Sequence, residues 1–363
     1  MSKPTDEEIV YRRANHDDPA DRERILGILR EYLTSVGEPG VADARYQWLY
    51  RKNPALTAYT FLASDRATRE VVGLTSLFPR PVWVHGQTFL GAIGGDGYVT
   101  PRYRRRGIIT RLHSEALRVM SDRDEAVSFM YGPPEPNNLK ALLHAGASRV
   151  GQVQRFVRPL DADGFGARVT AHMAQWAAPL RKPLAWALSP RRSKLRLLEL
   201  GDQPDARVDR VWHATVDAFE GTKHVIPVRD APFYAWRFGP SSEGGIGRQR
   251  GYLVLDGETP VAAVALERHE GKAAIVDVTA PPRWLARTYR AIFDACRDVA
   301  SIHFEVHTPC PRLQMTLYRL GFLPRTSKPF QVHVGPHHPA YDALVRPNAW
   351  RYMWGDGDVT RVL

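Results

Sequence analysis

One succession of elements runs through this chain twice, and that repetition limits the architecture more than any single motif. Arg45 to Ala55 reads RYQWLYRKNPA and Pro232 to Ser242 reads PFYAWRFGPSS, each an aromatic, one residue, Trp, one residue, an aromatic, and then Pro. Ahead of each lies a short apolar strand, an Asp/Pro turn and a helix with apolar residues at helical spacing. Three strands follow each: AYTFLASD, VVGLTSLFPRPVWVHG and FLGAIGGDGYVT in the first half, GYLVLD, PVAAVALERHEG and KAAIVDVT in the second. A helix, a strand (AVSFMYGPP; SIHFEVHTP), a short helix ending in Gly (NNLKALLHAG; RLQMTLYRLG) and a last strand (VGQVQRFVRPL; KPFQVHVGP) close each half. The same order over so many elements predicts two related α+β domains, 1–160 and 194–363, each a mostly antiparallel sheet flanked by helices. Between them, 161–193 reads as a helical connector broken at Pro179 and Pro183.

A chain of 363 residues exceeds what one hydrophobic core usually supports, which agrees with two domains. A formal charge of +11 favours anionic partners: nucleic acid, a membrane surface or a phosphorylated small molecule. The two cysteines, Cys296 and Cys310, allow no disulfide framework, and no Cys/His metal spacing occurs, so no metal is expected. The sequence MSKPTDEEIVYRR has no apolar run typical of a secretion signal, and no window reaches the length of a membrane span. A cytoplasmic protein is the expectation, with its oligomeric state left open.

The stretch YVTPRYRRRGIITRL, Tyr98 to Leu112, bears on function. Val99 ends a strand, Pro101 stops it, and from Ile108 apolar residues recur at Leu112, Ala116 and Met120, one face of a helix. Arg104 to Gly107 therefore form a strand-to-helix turn. The first amides of a helix have no intrahelical partners and its dipole makes that end partly positive. A glycine there admits close approach, Thr110 adds a hydroxyl, and Arg104, Arg105 and Arg106 add charge, which together describe a diphosphate cradle. No G-K-[ST] is present, GAIGGDG does not match G-x-G-x-x-G, and the basic residues occupy one turn rather than a stripe. A P-loop, a dinucleotide fold and a nucleic-acid surface all fit less well.

VTPRYRRRGIITRL resembles the acyl-CoA-binding motif of the GNAT superfamily of N-acyltransferases, [Q/R]-x-x-G-x-[G/A], with Arg104 in the first place and Gly107 as its glycine. Ile109 stands where Gly or Ala is usual. NNLKALLHAGA resembles the superfamily's following segment through Asn138 and Gly146, with Ala147 in place of the usual Phe. The resemblance implies acetyl-CoA or another acyl-CoA as cosubstrate, bound through Val99, Arg104, Arg105, Arg106, Gly107, Ile108, Ile109, Thr110 and Asn138. It also implies acyl transfer to a small-molecule amine. In the second half Val278 and Thr279 match Val99 and Thr100, but Pro281, Pro282 and Ala286 replace the turn, so that copy reads as degenerate.

Such a reaction needs an amine that has lost its proton, a donor for the tetrahedral oxyanion and an acid for the leaving thiolate. The superfamily's geometry offers the Val99 amide as the donor. Asp96 is a candidate base, with an Asp bonding into its own Gly-rich kink as the structural alternative. The resemblance would place a Tyr acid at Leu142; its absence leaves His144, otherwise a surface or capping residue, and Tyr131 as acid candidates. Trp48 to Pro54 and the terminal WRYMWGDGD resemble a subset of tandem enzymes acting on amino sugars, although Trp48 and Arg51 equally suit packing. Two other readings stand beside this one: a non-catalytic CoA or anion binder on the same fold, and a basic nucleic-acid or membrane-surface binder.

Overall fold

The computed structural model describes residues 8–120, 122, 124–134, 136–144, 146–160, 192–242, 247–307 and 311–357. The expected connector lies almost entirely outside them. The first half runs β1 (Ile9–Arg13), α1 (Pro19–Ser35), α2 (Ala42–Arg45), a π-helical turn (Tyr46–Arg51), β2 (Tyr59–Asp65), β3 (Val71–Val84) and β4 (Gln87–Val99). It continues with α3 (Ile108–Val119), β5 (Phe129–Gly132), α4 (Pro136–His144) and β6 (Ser148–Pro159). The second half repeats the order with β7 (Arg196–Glu199), α5 (Ala206–Asp217), β8 (Val225–Pro227), α6 (Ala231–Phe238), β9 (Gln249–Asp256), β10 (Thr259–His269) and β11 (Lys272–Thr279). It ends with α7 (Leu285–Ala295), β12 (Ser301–His307), α8 (Pro311–Arg319), β13 (Leu323–Val334) and α9 (Tyr341–Leu344). The mixed α+β class is as expected: a large, mostly antiparallel sheet carries helices on its faces.

Local chemistry sets the helix starts. Asp18 caps α1 by accepting from the Ala20 amide at 2.9 Å, with Pro19 in the first helical position. In α3 the apolar face foreseen at Ile108, Leu112 and Ala116 is buried against β2, β3 and β4.

The strands form one sheet in the order β1-β2-β3-β4-β5-β13-β6-β12-β11-β10-β9-β7, and β8 pairs with β3. The halves expected at 1–160 and 194–363 are therefore interleaved in one sheet. β13, the last strand of the second half, pairs with β5 of the first, while β6, the last of the first half, pairs with β12 of the second. β13 and β6 meet in the middle. The two Trp stretches meet as well. The Trp48 and Trp236 rings stack at 5.3 Å, and each indole N–H donates to the other's backbone carbonyl, at 3.2 and 2.9 Å. The repeated Trp is thus a packing device between the halves.

Among the described residues, two neighbouring pairs in the sheet are parallel, β4 with β5 and β11 with β12. They occupy equivalent places in the two halves. β4 and β5 pair only at Gly91–Phe129 and Ala92–Met130 before they part, which opens a fork in the sheet.

Candidate active site

The fork is bounded by a distorted strand. Between Leu74–Tyr98 and Ser76–Gly95 the register of β3 and β4 shifts, so Asp96 and Gly97 oppose Thr75 alone, and Asp96 takes φ = 51°. This is a β-bulge. Beyond it the Thr100 amide donates to Val72 at 3.0 Å, so Val99, opposite Gly73, is a non-hydrogen-bonded pair of the ladder. The Val99 amide and carbonyl consequently point away from β3, into the fork. Arg104 Nε donates to that carbonyl at 2.9 Å and its guanidinium lies 5.4 Å from the Tyr98 ring. The Val99 amide remains directed at the opening.

The turn has the form the sequence implied. Pro101–Tyr103 make a 3-10 turn, Arg105 takes φ = 64°, and Gly107 takes φ = 77° just ahead of α3. The first helical bond runs from the Arg111 amide to the Gly107 carbonyl at 3.0 Å. Among the described residues the amides of Arg105, Arg106, Gly107, Ile108, Ile109 and Thr110 have no acceptor. Arg104, Arg105, Arg106, Gly107 and Thr110 are exposed. Arg106 lies 4.9 Å over the Tyr103 ring, whose hydroxyl donates to Asp65 at 2.8 Å. Ile109, at the position where a small residue is usual, turns toward the backbone of Gly97, its Cδ1 3.5 Å from where a Cβ of Gly97 would stand. Its bulk is therefore taken up by the bulge, away from the free amides. Free amides, a helix dipole and three arginines suit a diphosphate.

A cavity of about 470 Å³ opens from the fork. Its first-half wall includes Ile93 to Gly97 of β4, Met130 to Gly132 of β5, Asn138 and Leu142 of α4, and His113, Ala116 and Leu117 of α3. The second half adds Glu305, Lys328, Gln331, Tyr352 and Trp354. α3 thus presents its open N-terminal turn to solvent and its flank to the cavity.

The three candidate catalytic groups fare differently. Asp96 lines the cavity but is buried, held by Arg45 (Nη2–Oδ1 2.7 Å, Nε–Oδ2 3.0 Å) and by the Tyr50 hydroxyl at 2.7 Å. Its lone pairs are committed, which fits a structural anchor of the bulge better than a base. The anchoring partners come from α2 and the π-helical turn rather than from its own kink. His144, the last residue of α4, is exposed and is not brought to the cavity. Tyr131 is in the cavity wall, stacked on Trp350 at 4.5 Å; its buried hydroxyl has no partner among the described residues, and burial raises its pKa. Two groups escaped the sequence reading. His113 lines the cavity with its Nδ1 unpartnered among the described residues, and burial lowers its pKa, keeping the ring neutral. Glu305 enters from β12, and nothing in SIHFEVH distinguishes it from an outward-facing strand residue. At the C-terminal end, Asp356 is taken up by Arg229 at 2.5 Å, and Asp358 lies outside the described residues. Among the described residues no group of His, Cys, Asp and Glu side chains could hold a metal ion, and no helix is long and apolar enough to cross a membrane.

Residues 11–136 match the acetyltransferase (GNAT) domain family. No curated protein matches the chain. Among solved structures, a GCN5-related N-acetyltransferase from Anabaena variabilis superposes with a TM-score of 0.62 at 14% identity, covering 90% of this chain and 72% of that one. A probable N-acyltransferase from Enterococcus faecalis gives 0.60 at 12% identity, covering 90% and 72%. Saccharomyces cerevisiae N-myristoyltransferase, solved with bound myristoyl-CoA, gives 0.55 at 14% identity, covering 91% and 83%. At these identities the likeness is one of fold, and it extends over both halves.

Proposed function

We propose that this protein transfers an acetyl or other short acyl group from an acyl-CoA to the amine of a small molecule, with the first half holding the thioester. The carrying observation is the run of amides from Arg105 to Thr110, without acceptors among the described residues, at the mouth of a fork into which the Val99 amide points. The amides and the arginines hold the diphosphate, Asn138 lies along the cavity wall, and the Val99 amide donates to the oxyanion. Asp96 keeps the bulge, and with it Val99, in position through Arg45 and Tyr50. Tyr131, held neutral by burial, is the remaining candidate to protonate the leaving thiolate. The amino-sugar subset is one acceptor class within this reading.

Two measurements test it. Acetyl-, butyryl- and octanoyl-CoA at 100 times their Kd should each add about 2.7 kcal/mol of stability, read as a rise in Tm. Thiol release should then depend on an added amine. A rise in Tm without thiol release across an amine panel supports the non-catalytic binder instead. Absence of both, with retention on DNA or anionic vesicles that falls steeply with salt, supports the basic-surface reading.

A further inference from the structure

Between the open turn and the fork, the cavity runs along β4 and the flank of α3. Gly94, Gly95 and Gly97 give β4 a floor without side chains, and Gly94 and Gly97 are exposed although the strand lies inside the sheet. α3 adds His113, Ala116 and Leu117, of which His113 is the polar one, and β3 adds Thr75. His113 stands one helical turn beyond Ile109, on the same side of α3 as the residue that meets Gly97.

Gly97 marks the point where these groups converge. A Cβ there would stand 3.5 Å from Ile109 Cδ1, 3.6 Å from His113 Nε2 and 3.8 Å from Thr75 Oγ1. Those are ordinary contact distances, and Gly97 is not in the left-handed region. Neither packing nor backbone therefore demands glycine at this position. Its missing side chain leaves a niche walled by an imidazole and a hydroxyl. The ring is poorly served by the protein itself: His113 Nδ1 is buried with no partner among the described residues. Burial lowers its pKa, so the ring is neutral, with one N–H and one lone pair. A neutral ring suits an uncharged partner that both donates and accepts. The pantetheine arm of CoA, which links the diphosphate to the sulfur, carries two such groups as amides, and each needs a partner when it leaves water.

We propose that His113, with Thr75 beside it, holds an amide of the pantetheine arm in the niche left by Gly97. This rests on the acyl-CoA reading and extends recognition from the diphosphate to the arm. It also gives the ring of His113 the partner that the described residues do not supply.

Calorimetry on the full chain tests it with CoA and with the armless fragment 3′-phosphoadenosine 5′-diphosphate. Both carry the diphosphate, and only CoA carries the amides. CoA should bind the wild type about tenfold more tightly than the fragment, or better. His113→Leu should cut that advantage about fivefold, the worth of one hydrogen bond, and leave the fragment's Kd unchanged. His113→Gln, which keeps a donor and an acceptor at similar reach, should restore most of it. Gly97→Ala, which the packing admits, should cost CoA about tenfold by filling the niche and should likewise spare the fragment. A CoA advantage within about twofold of wild type in His113→Leu or in Gly97→Ala overturns the proposal. Equal binding of CoA and fragment by the wild type, or equal losses for both in the variants, overturns it too. Should His113→Leu fail to fold, Gly97→Ala decides. Failure of the acyl-CoA reading looks different: neither molecule binds the wild type, and the assignment of His113 falls with it.

Discussion

The two forks of the sheet start from the same plan and end differently. Each lies beside a bulge, at Asp96–Gly97 in β4 and at the Ala265–Leu266 register shift opposite β11. Each bulge carries a buried Asp held by an Arg and by a Tyr five residues beyond that Arg: Arg45, Asp96 and Tyr50 in the first half, Arg229, Asp277 and Tyr234 in the second. In the first half β4 and β5 part after two pairs and a cavity follows. In the second half β11 and β12 keep four pairs, and the C-terminal segment fills the space beyond. Met353 bridges to Val306, its sulfur accepts from the Val278 amide at 3.3 Å, and the His307 amide donates to Tyr352 at 2.8 Å. Val278 is the counterpart of Val99, so the amide directed at the opening in one half is already bonded in the other. The comparison also bears on Asp96. Its counterpart Asp277 keeps the same kinds of partner beside a fork that Met353 enters, so holding the bulge accounts for both.

The largest difference to test is charge. Arg229 neutralises two buried acids, Asp277 at 2.6 Å and Asp356 at 2.5 Å, whereas the buried acid seen on Arg45 among the described residues is Asp96. Asp356 is raised to about 7 by burial and the neighbouring Asp277, against the pull of Arg229. Removing one member of a buried pair costs about 3–5 kcal/mol. Arg229→Met should fall at the upper end of that range and Arg45→Met at the lower, measured by urea unfolding. Equal losses would deny that Arg229 fastens the C-terminal segment. Next, Met353→Ala empties the second fork and should cost about 2–5 kcal/mol while leaving the acetyl-CoA shift in Tm untouched. A lost shift would mean that the plug also shapes the first fork.

Acid should report on the filled fork separately. Burial drives His307 down to about 4. An imidazole whose pKa is lower folded than unfolded binds more protons when unfolded, so its contribution is present above about 6.5 and lost as pH falls toward about 4. The loss is of the order of 3 kcal/mol. His16, likewise lowered to about 4 by burial, acts in the same direction, and Asp356 acts in the opposite one, losing stability as pH rises toward about 7. The difference between wild type and His307→Gln isolates the one ring. An unchanged pH slope in that variant would show that the ring is not held neutral.

Gly107→Val addresses the open turn. At φ = 77° a β-branched residue is strained, so the turn and the amides it presents should shift. The stabilisation by acetyl-CoA, about 2.7 kcal/mol at 100 times Kd, should fall toward zero. A full shift in the variant would remove the amides from the cofactor site.

The turn was legible because its punctuation is local: Pro101 ends the strand, Gly107 supplies the positive φ, and Ile108, Leu112 and Ala116 mark the helix face. The repeat was legible because Trp and strand order recur. What a strand pairs with is not written in its own pattern, and so the exchange of β6 and β13 between halves was hidden. The same holds for Asp96, whose Arg45 lies 51 positions earlier, and for Glu305, whose cavity exists only once the halves interleave. His113 adjoins an apolar face without belonging to it, and alternation could not reveal which side it would serve. Of the described part of WRYMWGDGD, Met353 enters the second fork while Tyr352 and Trp354 line the first cavity, a division the stretch itself does not show.

The smallest effect is the most discriminating. If the second fork failed to bind only for want of the turn glycine, Ala286→Gly would restore a site. The structure argues otherwise. Pro281 and Pro282 have no amide hydrogens, and the Trp284 amide already donates to the Pro281 carbonyl at 2.9 Å. The Val278 amide is bonded to Met353, and the plug stands where an acyl group would enter. Ala286→Gly should therefore cost at most about 1 kcal/mol, the ordinary penalty of glycine in a helix, and calorimetry should still count one equivalent of CoA per chain. A second equivalent in that variant would mean that the copy lost its function through one residue rather than through the closure of its fork.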